Sequence, residues 1–292
     1  MGTLRGIVAL LWIIADTLVG CVPLYLLGLL RLISPPAWRP PLVRGMHAIV
    51  QTWAAGNRLI FRVLGIIQVR PQWPAGELSE DEWYLVVSNH QSWADILILQ
   101  NTFQGRIPIL KFFTKRQLQW VPLIGAAMWF LGFPYVRRLS RERIAANPEL
   151  AELDRAATLD ACRGFRDHPT SVLAFLEGTR FTAAKHASQD EARFDNLLNP
   201  KLGGVSYVVT ALGDRLDAVI DVTLVYDGGP PTFWQLLQGR CPRVDMLVER
   251  RELPAAARDA DDPDAAREAL RPWLDGIWRA KDERLSGLRA RN

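Results

Sequence analysis

Residues 6–30 form one apolar run interrupted only by Asp16, Thr17 and Pro23, and no other feature limits the possible fold as much. As a helix the run reaches about 37 Å at about 1.5 Å per residue, enough to cross a bilayer. A cleaved export signal is the competing reading, but the run exceeds the usual apolar core of roughly 7 to 15 residues and no small-x-small site closes it. Charge follows the same boundary: residues 1–70 hold seven arginines and one acid, Asp16, leaving 28 basic against 30 acidic side chains elsewhere. Positive charge on an apolar segment suits an anionic lipid surface better than nucleic acid, whose readers carry basic patches across the folded domain. Arg31, Arg39 and Arg44 follow the run and only Arg5 and the amino terminus precede it, which places the following domain on the cytoplasmic side. Asp16 and Pro23 leave open a bend that re-enters the same face.

After Ser34, Pro35 and Pro36, the residues Leu42, Met46, Ile49, Trp53, Ile60, Leu64 and Ile67 recur at helical spacing with Arg44, Arg58 and Arg62 between them. This predicts an amphipathic helix at the lipid interface, against the plainer reading of a helix whose stripe faces a core. Residues 72–81, polar and with Pro74 and Gly76, read as a linker. The chain therefore divides into a membrane-binding motif over residues 1–70 and a folded domain over 83–292.

Within that domain, extended runs at 84–87, 107–112, 133–136, 171–176, 219–226 and 243–249 alternate with helical patterns. The helices are expected at 93–102, 122–130, 150–165, 202–212 and 264–288. Such alternation predicts an α/β domain, a mixed, mainly parallel sheet flanked by helices. Overall, 49% hydrophobic and 23% charged residues exclude a disordered chain and a polytopic membrane protein. Cys21, Cys162 and Cys241 form no CxxC pair, and His47, His90, His168 and His186 lie far apart with no HExxH, so no metal site is suggested. No GxGxxG or Walker sequence supports a nucleotide cofactor.

Two polar strings follow apolar strands, where α/β proteins place ligands. In the first, Ser88, Asn89, His90, Gln91, Ser92, Trp93, Ala94, Asp95, the imidazole of His90 can accept a proton near neutral pH and Asp95 can hold its other nitrogen. Ser92 and Asp95 also read as a capping box, a role compatible with the first because a carboxylate has two oxygens. In the second, Glu177, Gly178, Thr179 and Arg180, the glycine lets backbone approach a ligand and the guanidinium suits phosphate. In isolation that string reads rather as a turn with a surface ion pair. Lys111, Lys115, Arg116, Arg137 and Arg138 are further basic residues near apolar strands, a pattern usual for a solvated face.

In order, these strings resemble the PlsC-type 1-acyl-glycerol-3-phosphate acyltransferases, over about residues 83–250. Asn89 to Asp95 matches the NHxxxxD block, and residues 132–138 match the block ending in a phosphate-binding arginine, with Pro134 and Arg137 departing from its commonest form. Glu177 to Arg180 matches EGTR, preceded by Leu176 where many members have proline, and residues 219–226 match the last apolar block. Lys115 with Trp120, Val121, Pro122 and Gly125 is similar to the family's lysine and proline stretch. The strings at 177–186 and 221–224 resemble a branch with animal lysophosphatidate and lysocardiolipin acyltransferases and an enterobacterial inner-membrane enzyme. The resemblance implies a glycerol-phosphate acyltransferase-like fold, His90 as base oriented by Asp95, and Glu177, Gly178, Thr179, Arg180, Lys115 and Arg138 around the acceptor phosphate. It also implies no cofactor, acyl-CoA or acyl carrier protein as donor, a lysophospholipid acceptor, and a bacterial inner membrane as the site of action, with no nucleic-acid partner.

Overall fold

The computed structural model describes residues 1–136 and 148–289. Helix α1 (Gly2–Ile33) contains the whole apolar run, and a 3₁₀ turn at Pro36–Trp38 leads into α2 (Arg39–Val63). Prolines in the first turn of α2 remove only amides that would have no helical partner. Strands β1 (Gln68–Gln72) and β2 (Trp83–Ser88) precede α3 (Ala94–Phe103), followed by β3 (Leu110–Phe112), β4 (Thr114–Lys115), α4 (Ile124–Phe130) and β5 (Tyr135–Val136). The chain continues through α5 (Pro148–Arg163), β6 (Ser171–Phe175), α6 (Ala183–Ala187), α7 (Gly203–Leu212) and β7 (Leu216–Tyr226). It ends with α8 (Phe233–Leu237), β8 (Arg243–Arg251), α9 (Ala255–Arg258) and α10 (Pro263–Arg289).

Six strands form one sheet in the order β1-β8-β7-β2-β6-β3, in which only the β7–β8 pair is antiparallel. The mixed, mainly parallel sheet expected from the alternation is thus present. Both faces are covered, which is why β2 and β6 read as continuous apolar runs. Leu85, Val87, Val172 and Val219 pack on one side with residues of α5, α7 and α10, while Tyr84, Val86, Leu173 and Ile220 pack on the other with residues of α3.

Two expectations change. The apolar stripe of α2 does not face outward: Met46 is buried, and Trp53, Ile60, Leu64 and Ile67 pack against the body of the protein. A 3.6-residue stripe reports only that something covers it, and here the cover is protein. Second, β1 was not apparent in the sequence. It is a short strand of half-exposed alternation carrying Pro71 at the sheet edge, where a missing amide is tolerated.

Helices α1 and α2 run antiparallel. Trp53 Nε1 donates to Thr17 Oγ1 at 3.0 Å, and Gly56 lies so close to Asp16 that a Cβ there would sit 3.0 Å from its carboxylate. Both ends of α1 also touch the α/β body. Gly6 faces the Trp234 ring and Gly28 faces Phe130, while Arg31 donates to the Phe130 carbonyl at 3.2 Å. The helix therefore lies along the body rather than projecting from it. Its other side is uncovered, with Leu11, Val19, Val22, Leu26 and Ile33 exposed.

Candidate active site

Strands β2 and β6 are parallel neighbours, so their carboxyl ends lie side by side, with Ser88 opposite Phe175. This adjacency brings together two strings that are 87 residues apart in sequence. His90 N donates to Glu177 Oε1 at 2.7 Å, and Phe181 N donates to the His90 carbonyl at 2.7 Å. The His90 ring stacks on Phe175, centroids 3.9 Å apart and planes 15° from parallel. On the other side of β2, the Asn89 amide bridges both backbone groups of Leu224 at 2.9 Å, closing the gap to β7.

The His90 Nδ1 atom lies 2.8 Å from Asp95 Oδ2. The same oxygen accepts the Gln91 and Ser92 amides at 2.7 and 2.9 Å, while Oδ1 accepts the Tyr226 hydroxyl at 2.5 Å. A carboxylate facing only donors requires the proton on Nδ1, so Nε2 carries the lone pair. The Asp95 side chain is fully buried and that of His90 is 12% exposed. Nε2 has no hydrogen-bond partner among the described residues, and the ring is open to one side. Half of the capping box forms as well: Asp95 reaches back to the Ser92 amide, whereas Ser92 Oγ accepts from Ala94 N and donates to the Pro231 carbonyl. Capping and orientation of the imidazole are therefore one arrangement.

Glu177 departs from the expected role. It is fully buried and its two oxygens accept the His90 and Leu198 amides at 2.7 and 3.1 Å, so it neither holds Arg180 nor faces a phosphate. Burial pushes its carboxyl up to about 7, with the two amide bonds opposing the rise and the charge of Asp95 adding to it. Glu177 is the tie between the two strings. Gly178, at φ +66° where a side chain would be strained, turns the chain, and its amide is committed to the Phe175 carbonyl at 2.9 Å. Thr179 Oγ1 accepts Lys185 Nζ at 2.7 Å. Arg180 is exposed at the rim, its guanidinium 5.0 Å over the Trp93 ring. Arg137, Arg138 and the Lys115 side chain lie outside the described residues.

Three contributors were missed in the sequence. Phe175 and Tyr226 looked like ordinary apolar strand residues, although a phenol at the end of a buried strand needs a partner. The third is α10, in which no chemistry was legible. Trp278 Nε1 donates to the Leu198 carbonyl at 3.0 Å, and the buried Lys281 pairs with Asp221 of β7 at 2.7 Å and donates to Thr223 Oγ1 at 3.0 Å. The terminal helix thus braces the loop that supplies the Leu198 amide and the strand that supplies Tyr226.

The acyltransferase family model matches residues 61–227, more than half of the chain, a span that holds His90, Asp95, Phe175, Glu177, Arg180 and Tyr226. The 1-acyl-sn-glycerol-3-phosphate acyltransferase gamma of Mus musculus is 30% identical over 213 residues, covering 69% of this chain and 52% of that protein. Lysocardiolipin acyltransferase 1 of Danio rerio is 28% identical over 309 residues, covering 96% of this chain and 70% of its own length. The chain thus spans about half the length of the first of these relatives. The crystal structure of the 1-acyl-sn-glycerophosphate (LPA) acyltransferase PlsC from Thermotoga maritima shares the fold, with a TM-score of 0.56 at 16% identity over 98% of both chains. With His90 after β2 and Asp95 in the first turn of α3 both inside it, the family match over more than half of the chain places this protein in the acyltransferase family.

Proposed function

We propose that the protein transfers an acyl group from a thioester, acyl-CoA or acyl carrier protein, to the sn-2 hydroxyl of 1-acyl-glycerol-3-phosphate. The observation that carries this reading is the 2.8 Å contact between His90 Nδ1 and a fully buried Asp95, which leaves Nε2 as a directed base. Nε2 takes the hydroxyl proton as the oxygen attacks the thioester carbon. Asp95 stabilises the imidazolium that forms, the C–S bond breaks, and the proton passes to the departing thiolate. Arg180, with Lys115 and Arg138, holds the acceptor phosphate through charge-assisted contacts, and Thr179 and Gly178 shape the turn that carries it. No metal, cofactor or acyl-enzyme is needed. Cys162 is buried with its thiol pushed up to about 12, a poor nucleophile.

The uncovered apolar side of α1 gives the enzyme a lipid-facing surface from which to take an acceptor that barely dissolves in water. The excess of arginine in residues 1–70 fits the cytoplasmic face of a bacterial inner membrane. A second acceptor, lysocardiolipin, is favoured by the relative whose match spans nearly the whole chain.

The test is transfer of labelled acyl groups from acyl-CoA, and then from acyl carrier protein, to a panel of lysophospholipids in membranes. His90→Ala is expected to lower turnover by about 10² to 10⁴ while leaving the protein folded. Undiminished transfer by that variant overturns the base assignment, and transfer to lysocardiolipin in preference to lysophosphatidate changes the acceptor.

A further inference from the structure

Between α2, β1 and α3 lies a cavity of about 530 Å³ that plays no part in the reaction described above. It opens at the far end of α3 from Asp95: Ile98, Asn101 and Thr102 line one wall, and Arg106 stands just beyond the helix. Phe61, Val69 and Trp73 make other walls apolar. Three arginines, Arg58, Arg62 and Arg106, stand around it, all exposed, and no acidic residue lines it. The Arg106 guanidinium is set in place 4.3 Å over the Trp73 ring.

Asn101 lines the cavity and is 6% exposed, yet its Oδ1 is buried with no hydrogen-bond partner among the described residues. A buried side-chain carbonyl without a partner is unusual in a native protein, because its desolvation is then uncompensated. Arg58 and Arg62, one helical turn apart near the end of α2, repel each other, although they suit the negative end of its dipole. The dipole accounts for neither Arg106 nor Asn101. Apolar walls, a cationic rim and, at Asn101, a side-chain amide whose N–H can donate describe an amphiphile bearing a phosphate. Leu59 and Val63, beside Arg58 and Arg62 on α2, are 56% and 69% exposed, which brings the rim next to an uncovered apolar surface.

We propose that this cavity binds an anionic phospholipid, with its phosphate among Arg58, Arg62 and Arg106 and its upper chain atoms against Phe61, Val69 and Trp73. The site is separate from His90, and its occupancy does not depend on the acyl-transfer reading. The experiment uses the full chain in neutral detergent without acyl donor, labelled with photoactivatable phosphatidylglycerol or, in parallel, with phosphatidylcholine of the same chains. Cross-linked peptides are mapped by mass spectrometry.

Labelling within residues 58–73 and 98–106 is expected with the anionic probe and only weakly with the neutral one. Asn101→Asp, which adds a negative charge with little change of shape, should reduce it about tenfold, as expected for loss of one charge-assisted contact. Arg44→Ala, on the same helix but outside the cavity, should leave it unchanged. Asn101→Leu guards against misfolding: it should melt at or above the temperature of the original protein and still lose labelling. Equal labelling by both probes, or no effect of either Asn101 variant, overturns the proposal. Complete competition by glycerol 3-phosphate or inorganic phosphate would assign the cavity to a soluble phosphate compound and overturn the lipid.

Discussion

Replacing Asp95 by asparagine separates the carboxylate's charge from its geometry. Oδ2 faces three N–H groups, the His90 ring and the backbone amides of Gln91 and Ser92, whereas Oδ1 faces only the Tyr226 hydroxyl. Backbone amides cannot reverse, so an asparagine must turn its carbonyl oxygen toward them and its NH₂ toward Tyr226, whose hydroxyl can rotate to accept. All four hydrogen bonds survive, and the proton stays on His90 Nδ1. What disappears is the negative charge beside the imidazolium. The neutral bond is weaker by about 1 kcal/mol, and the lost attraction is bounded by about 4 kcal/mol at about 4 Å and an effective dielectric constant of about 20. Turnover should therefore fall by about 10 to 10³, less than the roughly 10⁴ that follows when a partner forces the wrong tautomer. The assay compares kcat at saturating donor and acceptor, with ¹⁵N NMR of the histidine ring as the tautomer readout. A loss of about 10⁴ with an intact fold, or a proton on Nε2, would refute the reasoning that the two amides dictate the orientation.

Tyr226→Phe should leave Asp95 Oδ1 buried without a donor, lowering stability by about 1 to 3 kcal/mol in chemical denaturation; an unchanged midpoint would mean another donor replaces the phenol. Burial, reinforced by the positive charge of Arg31, pulls Lys111 down to about 8. Its folded value lies below the roughly 10.4 of an unfolded chain, so the folded state binds fewer protons in between and stability should rise as pH climbs from about 8 to about 10. Lys111→Met should therefore be more stable below pH 8, on the order of 3 kcal/mol, with the advantage shrinking across that window; parallel stability curves for the two proteins would contradict this. A Cβ at Gly28 would lie 2.4 Å from the Phe130 ring, so Gly28→Ala should cost about 1 to 3 kcal/mol through overpacking. Adding Phe130→Ala should remove that penalty in a double-mutant cycle, and strict additivity would show that the two residues do not meet.

The logic of the candidate site is positional. The candidate site lies where β2 and β6 stop, and each contributes a loop that the other needs. His90 takes its ring orientation from its own loop, through Asp95, but its backbone position from the β6 side, through Glu177. This is why a buried carboxylate sits between them, its oxygens taken by two backbone amides.

Much of this was legible from the residues alone. Alternating periodicities placed most of the strands and helices, because side-chain period and burial on both sheet faces are local properties of the chain. The spacings from Ser92 to Asp95, three residues, and from His90 to Asp95, five residues, are local too, and so were readable as a cap and as a holder of the imidazole. Tertiary structure alone decided the rest. Glu177 turned inward to two amides, and Phe175 and Tyr226 became neighbours of the His90–Asp95 pair, because strand order sets which loops meet, and order is not encoded in periodicity. The stripe of α2 met protein rather than lipid, since amphipathicity specifies that a face is covered without specifying by what. The Pro71 strand at the sheet edge and the Lys281–Asp221 pair were equally hidden: each depends on a partner more than fifty residues away, where only the folded arrangement supplies the missing half of the contact.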